Sequence, residues 1–282
     1  MYLLISTLRN EAENLPALLK SVKSQSVKPA LWLIMNDNST DETEKIIADA
    51  AKENAYIHPV NLEPGDKDLA WRYHRNMKFG FEKAIVIAEE KGIEWNAIGV
   101  LDGDIVFEDT EYYEKLEKSL HADNTLGIVS GELAEPINGT VGVKHRKKNF
   151  PCGACRLIRK DAFFKTGYPV EPAADSIMRI MSHQAGYNAL IITEAKAIQT
   201  RPTTTIERDI EGAKYAAYIK YYLGFPLIYI LLMCGKMILK GRLKNAATFL
   251  KSYNKHKRKK SARLPIPEVR KVYRKAWFGL KY

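Results

Sequence analysis

A chain of 282 residues can bury a full core and carry an appendage, and 46% hydrophobic with 27% charged residues excludes a disordered polymer. The net charge of +11 is unevenly spread: 16 of the 44 Lys and Arg lie from Lys236 onward, against one acid, Glu268, leaving a mildly acidic body of 28 basic and 32 acidic residues. Three cysteines exclude a disulfide framework, and the single Cys152-x-x-Cys155 lacks the partner pair of a zinc set, so with Cys234 they are read as reduced thiols.

The chain opens on an apolar strand pattern, Tyr2–Thr7. No charged n-region and apolar h-region precede it, so no secretory signal is expected and the catalytic part is expected in the cytoplasm. A helical pattern at Leu15–Ser24 leads to a second strand, Leu31–Asn36. Asn36-Asp37-Asn38 forms the following turn, and Ser39-Thr40-Asp41-Glu42 fits a capping box opening a helix over Asp41–Glu53. Tyr56–Val60, Leu69–Glu90 and Ala97–Leu101 continue the alternation as strand, helix and strand. This is the signature of a doubly wound, Rossmann-like α/β sheet, whose strands aim their C-terminal ends at ligands.

Asp102-Gly103-Asp104 stands at the end of one such strand. The two carboxylates are one residue apart and face the same way along an extended chain, with Gly103 between them to let a ligand approach the backbone. Hard oxygen ligands on few protein contacts suit Mg²⁺ or Mn²⁺ shared with a diphosphate. Beyond Asp104, strand-like pieces at Gly127–Gly131, Arg156–Ile158 and Ala189–Thr193 mix with helices at Asp161–Thr166 and Asp175–Ala185. From Thr205 the chain becomes helical and then basic, giving a catalytic domain over 1–205 and a C-terminal helical extension over 206–282.

Four features in order, Ser6-Thr7-Leu8-Arg9-Asn10-Glu11, Asn36-Asp37-Asn38-Ser39-Thr40-Asp41, Asp102-Gly103-Asp104 and Ala174-Asp175, resemble the family 2 glycosyltransferases of the GT-A fold over roughly the first two-thirds of the chain. The resemblance implies inverting transfer from a nucleotide-diphosphate sugar to a glycan or lipid-linked acceptor, with Mn²⁺ or Mg²⁺. It implies donor contacts from Thr7, Asn10, Glu11 and Asp37, with Thr7 and Asp37 at the base. Arg75-Asn76 resembles the family's Arg-Asn pair, and Arg72 lies one turn earlier. Asp102 is implied near ribose and sugar, Asp104 on the metal, Gly153 under the reacting groups, and Asp175 as general base, which a purely structural reading would make a helix cap. Arg201 and Arg208 match the place of a basic residue over the diphosphate. The chain departs from the family in Ala174, where a Glu is usual, with Glu171 nearby. Val106 stands where dolichyl-phosphate mannose synthases carry a further polar ligand.

Other classes fit less well. A dinucleotide oxidoreductase needs a Gly-x-Gly-x-x-Gly that Thr7–Ala12 lacks, and a nucleotidyltransferase a Gly-rich basic loop. A non-catalytic nucleic-acid or membrane binder with a basic tail leaves the acidic motifs unexplained, and no nucleic-acid partner is expected.

The apolar run Tyr221–Cys234, broken at Gly224 and Pro226 and continuing to Leu239, is borderline as a membrane span. An interfacial placement is expected instead, peripheral or monotopic at the cytosolic membrane face. Lys251–Lys260 would meet anionic headgroups, with Trp277, Phe278 and Tyr282 as anchors. The competing reading is a helix packed on the catalytic domain or in a homodimer.

Overall fold

The computed structural model describes residues 1–65, 69–137, 140–143, 147–201 and 210–275. Two compact units divide the chain, Met1–Arg201 and Pro202–Tyr282, and the boundary expected near residue 205 lies outside the described residues.

In the first unit the alternation expected from sequence forms β1 (Tyr2–Leu8), α1 (Leu15–Lys23), β2 (Leu31–Asn36), α2 (Thr43–Glu53), β3 (Ile57–Asn61), α3 (Leu69–Glu90) and β4 (Ala97–Leu101). After it come β5 (Ile105–Phe107), α4 (Tyr112–Ala122), β6 (Leu126–Ile137), β7 (Thr140–Val143), β8 (Cys155–Arg159), α5 (Lys160–Thr166), α6 (Ala174–Gln184) and β9 (Asn188–Gln199). The sheet order is β3-β2-β1-β4-β8-β6-β9-β5, with β7 on the side of β6. The first four strands in that order run parallel, and β8 runs antiparallel to both β4 and β6, so the sheet is mixed.

Strand alternation sends successive side chains to two apolar layers. Tyr2, Leu4 and Leu8 pack with α1, α2 and α4, while Leu3 and Ile5 pack with α3, α5 and α6. Burial on both faces is why β1, β2 and β4 read as mostly apolar runs. Only residues 102–104 separate β4 from β5, yet β5 pairs with β9 at the far end of the strand order. The sheet therefore curls until its far edge returns to the end of β4, and the Asp-Gly-Asp turn bridges that closure.

The expected capping box does not form. The second helix starts at Thr43, and Asp41 Oδ1 accepts from the Thr43 backbone N–H at 3.1 Å and its hydroxyl at 2.6 Å. Asp41 Oδ2 accepts from Ala12 N–H, so the acid ties the start of its own helix to the first turn.

The second unit consists of α7 (Ile210–Leu223), α8 (Leu227–Leu239), α9 (Leu243–Arg258) and α10 (Pro267–Arg274). Gly224, at φ 90°, and Pro226 end α7 and restart the chain as α8. Tyr221, Tyr222, Leu223 and Phe225 are core residues here: the Tyr253 hydroxyl donates to Phe225 O at 2.7 Å, and the Tyr273 ring packs tilted against Phe225. The first part of the apolar run is thus spent on packing.

Ser6 joins three central strands. Its hydroxyl donates to Leu101 O at 2.6 Å and accepts from Trp32 Nε1 at 2.9 Å, all fully buried. Ser6→Ala strands the indole N–H and is expected to cost about 1–3 kcal/mol of stability in chemical denaturation. An unchanged midpoint would show that the network does not hold the strands.

Candidate active site

Three turns at the C-terminal ends of β1, β2 and β4 make the rim of the site. Asn10 and Asn38 both take left-handed backbone, at φ 53° and 54°, a conformation Asn tolerates better than most residues. They let the first two turns interlock. Asn10 N–H donates to Ser39 Oγ at 3.0 Å, Thr40 N–H to Asn10 Oδ1 at 2.8 Å, and Glu11 N–H to Thr43 Oγ1 at 2.8 Å. Asn10 is therefore a scaffold of the rim. Thr7 also turns inward, its hydroxyl 3.3 Å from Met77 Sδ.

Asp37 is buried and paired with the buried Arg72, through Oδ1, which also accepts from Asn38 Nδ2 at 3.4 Å. Among the described residues both contacts fall on Oδ1, which leaves Oδ2 for a ligand. The arginine that reaches this carboxylate is Arg72, one turn before Arg75, which is exposed. The next two residues of α3 also face the cleft: the Tyr73 hydroxyl donates to Asp102 Oδ1 at 3.3 Å, and His74 Nδ1 lies 2.9 Å from the Tyr168 hydroxyl.

Asp104 is buried, and its Oδ2 accepts from Gln199 Nε2 at 3.1 Å and lies 3.4 Å from Arg201 Nε. Arg201 also pairs with buried Glu11, so one guanidinium spans the first motif and the Asp-Gly-Asp turn. Gly103 serves this closeness. A Cβ there would stand 2.8 Å from Leu8 Cδ2 and 2.9 Å from Glu11 Cγ, so only glycine lets the two turns touch. Arg208 lies outside the described residues.

Asp175 sits in the first turn of α6 with its side chain 56% exposed. It is not a helix cap: the cap position is Ala173, in left-handed backbone at φ 66° with no side-chain cap bond. The carboxylate is held from below, by an ion pair at 2.7 Å to fully buried Arg156 and by Gly153. A Cβ on Gly153 would stand 1.9 Å from Asp175 Oδ2. The next residue, Ala154, accepts the Asp102 backbone N–H at 2.8 Å, so two consecutive residues hold both acidic groups.

Negative charge gathers here. Burial first, then the charges of Asp104 and Asp175, push the Asp102 carboxyl up to about 8. Burial raises Tyr73 well above the usual phenol range and lowers His74, which stays neutral at neutral pH. Cys152 and Cys155 are buried and in no disulfide, and hydrogen bonding to Cys152 together with burial holds Cys155 in its protonated form.

No cluster of three or more His, Cys, Asp or Glu able to hold a metal exists among the described residues. The residues nonetheless fit a divalent cation shared with a ligand. Asp104 and Asp102 offer two carboxylates, one of which retains its proton until positive charge arrives, and Mg²⁺ and Mn²⁺ sites draw their other oxygens from phosphate and water.

Arg156, Tyr73, His74, Tyr168 and Gln199 escaped the sequence reading. Arg156 carried a signal: a charged residue inside an apolar strand is rarely buried without a partner.

A sequence model of Glycosyl transferase family 2 matches residues 4–148, more than half of the chain. No curated protein matches it in sequence. Among solved structures, S. aureus TarS 1-349 in complex with UDP is 13% identical with a TM-score of 0.55, covering 77% of this chain and 64% of that one. The mannosyltransferase PcManGT from Pyrobaculum calidifontis, in complex with GDP-Man and Mn²⁺, is 14% identical with a TM-score of 0.55 over 99% of this chain and 80% of that one. GalNAc-T7 with UDP, GalNAc and Mn²⁺ is 12% identical with a TM-score of 0.55 over 77% and 50%. The chain spans less than two-thirds of the TarS 1-349 length. These likenesses establish the GT-A fold.

Asp102 also gives a pH dependence. The folded protein keeps this proton from the ordinary value of 3.8 up to about 8, while the unfolded chain has already released it, so this group's contribution to stability falls as pH rises through that window. Asp102→Asn removes the titration and is expected to raise Tm by roughly 5 °C at pH 8.5, with a smaller gain at pH 4. A gain that does not grow with pH in differential scanning fluorimetry would contradict the assignment.

Proposed function

The chain belongs to glycosyl transferase family 2 and is a glycosyltransferase, and on that premise we propose that it moves a sugar from a UDP- or GDP-sugar to an acceptor hydroxyl with inversion. One observation supports this reading above the others. Residues Gly153 and Ala154 hold the Asp175 carboxylate and the Asp-Gly-Asp turn next to each other, as a reaction between a diphosphate-bearing donor and a deprotonated hydroxyl requires.

In this reading the base enters between the first two turns, where Asp37 Oδ2 accepts a ring N–H and Arg72 fixes the carboxylate. Asp104, with Asp102, would hold Mn²⁺ or Mg²⁺. A bound dication stabilises the negative charge of the departing nucleoside diphosphate. Arg201 bridges Glu11 and Asp104 beforehand and turns toward the phosphates once donor is present. The Asp175 carboxylate takes the proton as the acceptor oxygen bonds to the anomeric carbon and the bond from that carbon to the phosphate oxygen breaks. Arg156 fixes its position from beneath. The open side of Asp175 suits a bulky acceptor, and we assign a glycan or lipid-linked glycan hydroxyl.

The test begins with a thermal-shift panel of UDP-glucose, UDP-galactose, UDP-GlcNAc and GDP-mannose with Mn²⁺, to select the donor. Asp175→Asn is then expected to keep that shift while nucleoside diphosphate release falls by roughly 10²–10⁴-fold. Gly153→Ala, which forces Asp175 aside, is expected to lower turnover in the same direction with the donor shift retained. Wild-type turnover in Asp175→Asn would give the base role to another residue.

A further inference from the structure

Helix α8 is apolar on two sides. Ile230, fully buried, and Cys234 turn inward, where Cys234 Sγ lies 3.6 Å from Ala246 O of α9. The opposite side carries Ile228, Leu231, Leu232, Ile238 and Leu239, the three- and four-residue spacing of one helical stripe. All five are exposed, Leu239 at 88%, and Gly235 between them has open space where a Cβ would stand. Leu243, 65% exposed at the start of α9, extends the stripe past the turn. Lys236 and Lys240 follow one flank of it a turn apart, and Arg242 and Lys244 frame Leu243, all four exposed. Between Leu227 and Lys260 there is no Asp or Glu.

We propose that this stripe is a lipid-binding surface, on which α8 lies in the plane of an anionic bilayer. Leu231, Leu232 and Leu239 enter the boundary of the acyl chains, and Lys236, Lys240, Arg242 and Lys244 extend their stems along the apolar surface to reach headgroup phosphates. Helix α8 lies on the membrane and does not cross it. Its 13 residues measure about 20 Å against a hydrocarbon core of about 30 Å, and no helix among the described residues is long and apolar enough to span. Charge selects the occupant. A second copy of this surface would bring like charges together around the leucines, whereas an anionic leaflet, such as a cytosolic one, complements them.

Vesicle binding by α8 needs neither nucleotide nor metal, so it is read separately from sugar transfer. Full-length protein is sedimented with phosphatidylcholine vesicles with and without phosphatidylglycerol, at low and high salt. Binding is expected to require phosphatidylglycerol and to weaken as salt screens the lysines. Leu231→Glu with Leu232→Glu, both on the exposed stripe, is expected to lower partitioning on the order of tenfold or more with an unchanged circular-dichroism melt. Lys240→Glu with Arg242→Glu is expected to lower anionic binding without touching the leucines. Protein that ignores phosphatidylglycerol vesicles at low salt overturns the proposal. So does a dimer in analytical ultracentrifugation that the Leu231/Leu232 variant converts to monomer.

Discussion

Crowded negative charge at the ends of parallel strands is the constraint that the catalytic unit is arranged around. Glu11, Asp37, Asp102, Asp104 and Asp175 converge on one cleft, and three of them are buried deeply enough that water does little to separate their charges. The protein answers with three arginines placed one by one: Arg72 on Asp37, Arg201 across Glu11 and Asp104, Arg156 under Asp175. Asp102 alone receives no cation and keeps its proton instead.

Backbone geometry makes the crowding possible. Left-handed Asn10 and Asn38 interlock the first two turns, and Gly103 lets the third press against Glu11. The curl of the sheet brings Gln199 and Arg201, at the far edge, back to Asp104. The acids are therefore positioned by hydrogen bonds and close packing laid down before any ligand arrives, which limits reorganisation during reaction.

Much of the fold was legible because double-sided burial leaves plain marks. β1, β2 and β4 are apolar over most of their length, and their ends carry the polar turns. β5 was not legible, since three residues show no periodicity and their partner β9 is some ninety residues away. Within the site, Asp37, Asp102, Asp104 and Asp175 stand out as acids at strand or helix ends. The choice between Arg72 and Arg75 did not, because residues three apart on a helix share a pattern and only the packing of α3 decides which faces Asp37. Ser39-Thr40-Asp41-Glu42 resembled a capping box from its own residues alone, whereas Ser39 and Asp41 bond to Asn10 and Ala12 of another turn. In the second unit, hydropathy could not separate Tyr221–Phe225, which fill a core, from Ile228, Leu231, Leu232, Ile238 and Leu239, which face outward.

The central claim is that the strand-end acids become a donor site only when further positive charge joins them. Isothermal titration of wild-type protein with UDP and with GDP, in Mn²⁺ and in EDTA, addresses it directly. Measurable binding of one nucleotide in Mn²⁺, with a proton released on binding and no detectable heat in EDTA, is the predicted result. Equal affinity in both buffers would contradict the account and assign the diphosphate to the arginines alone.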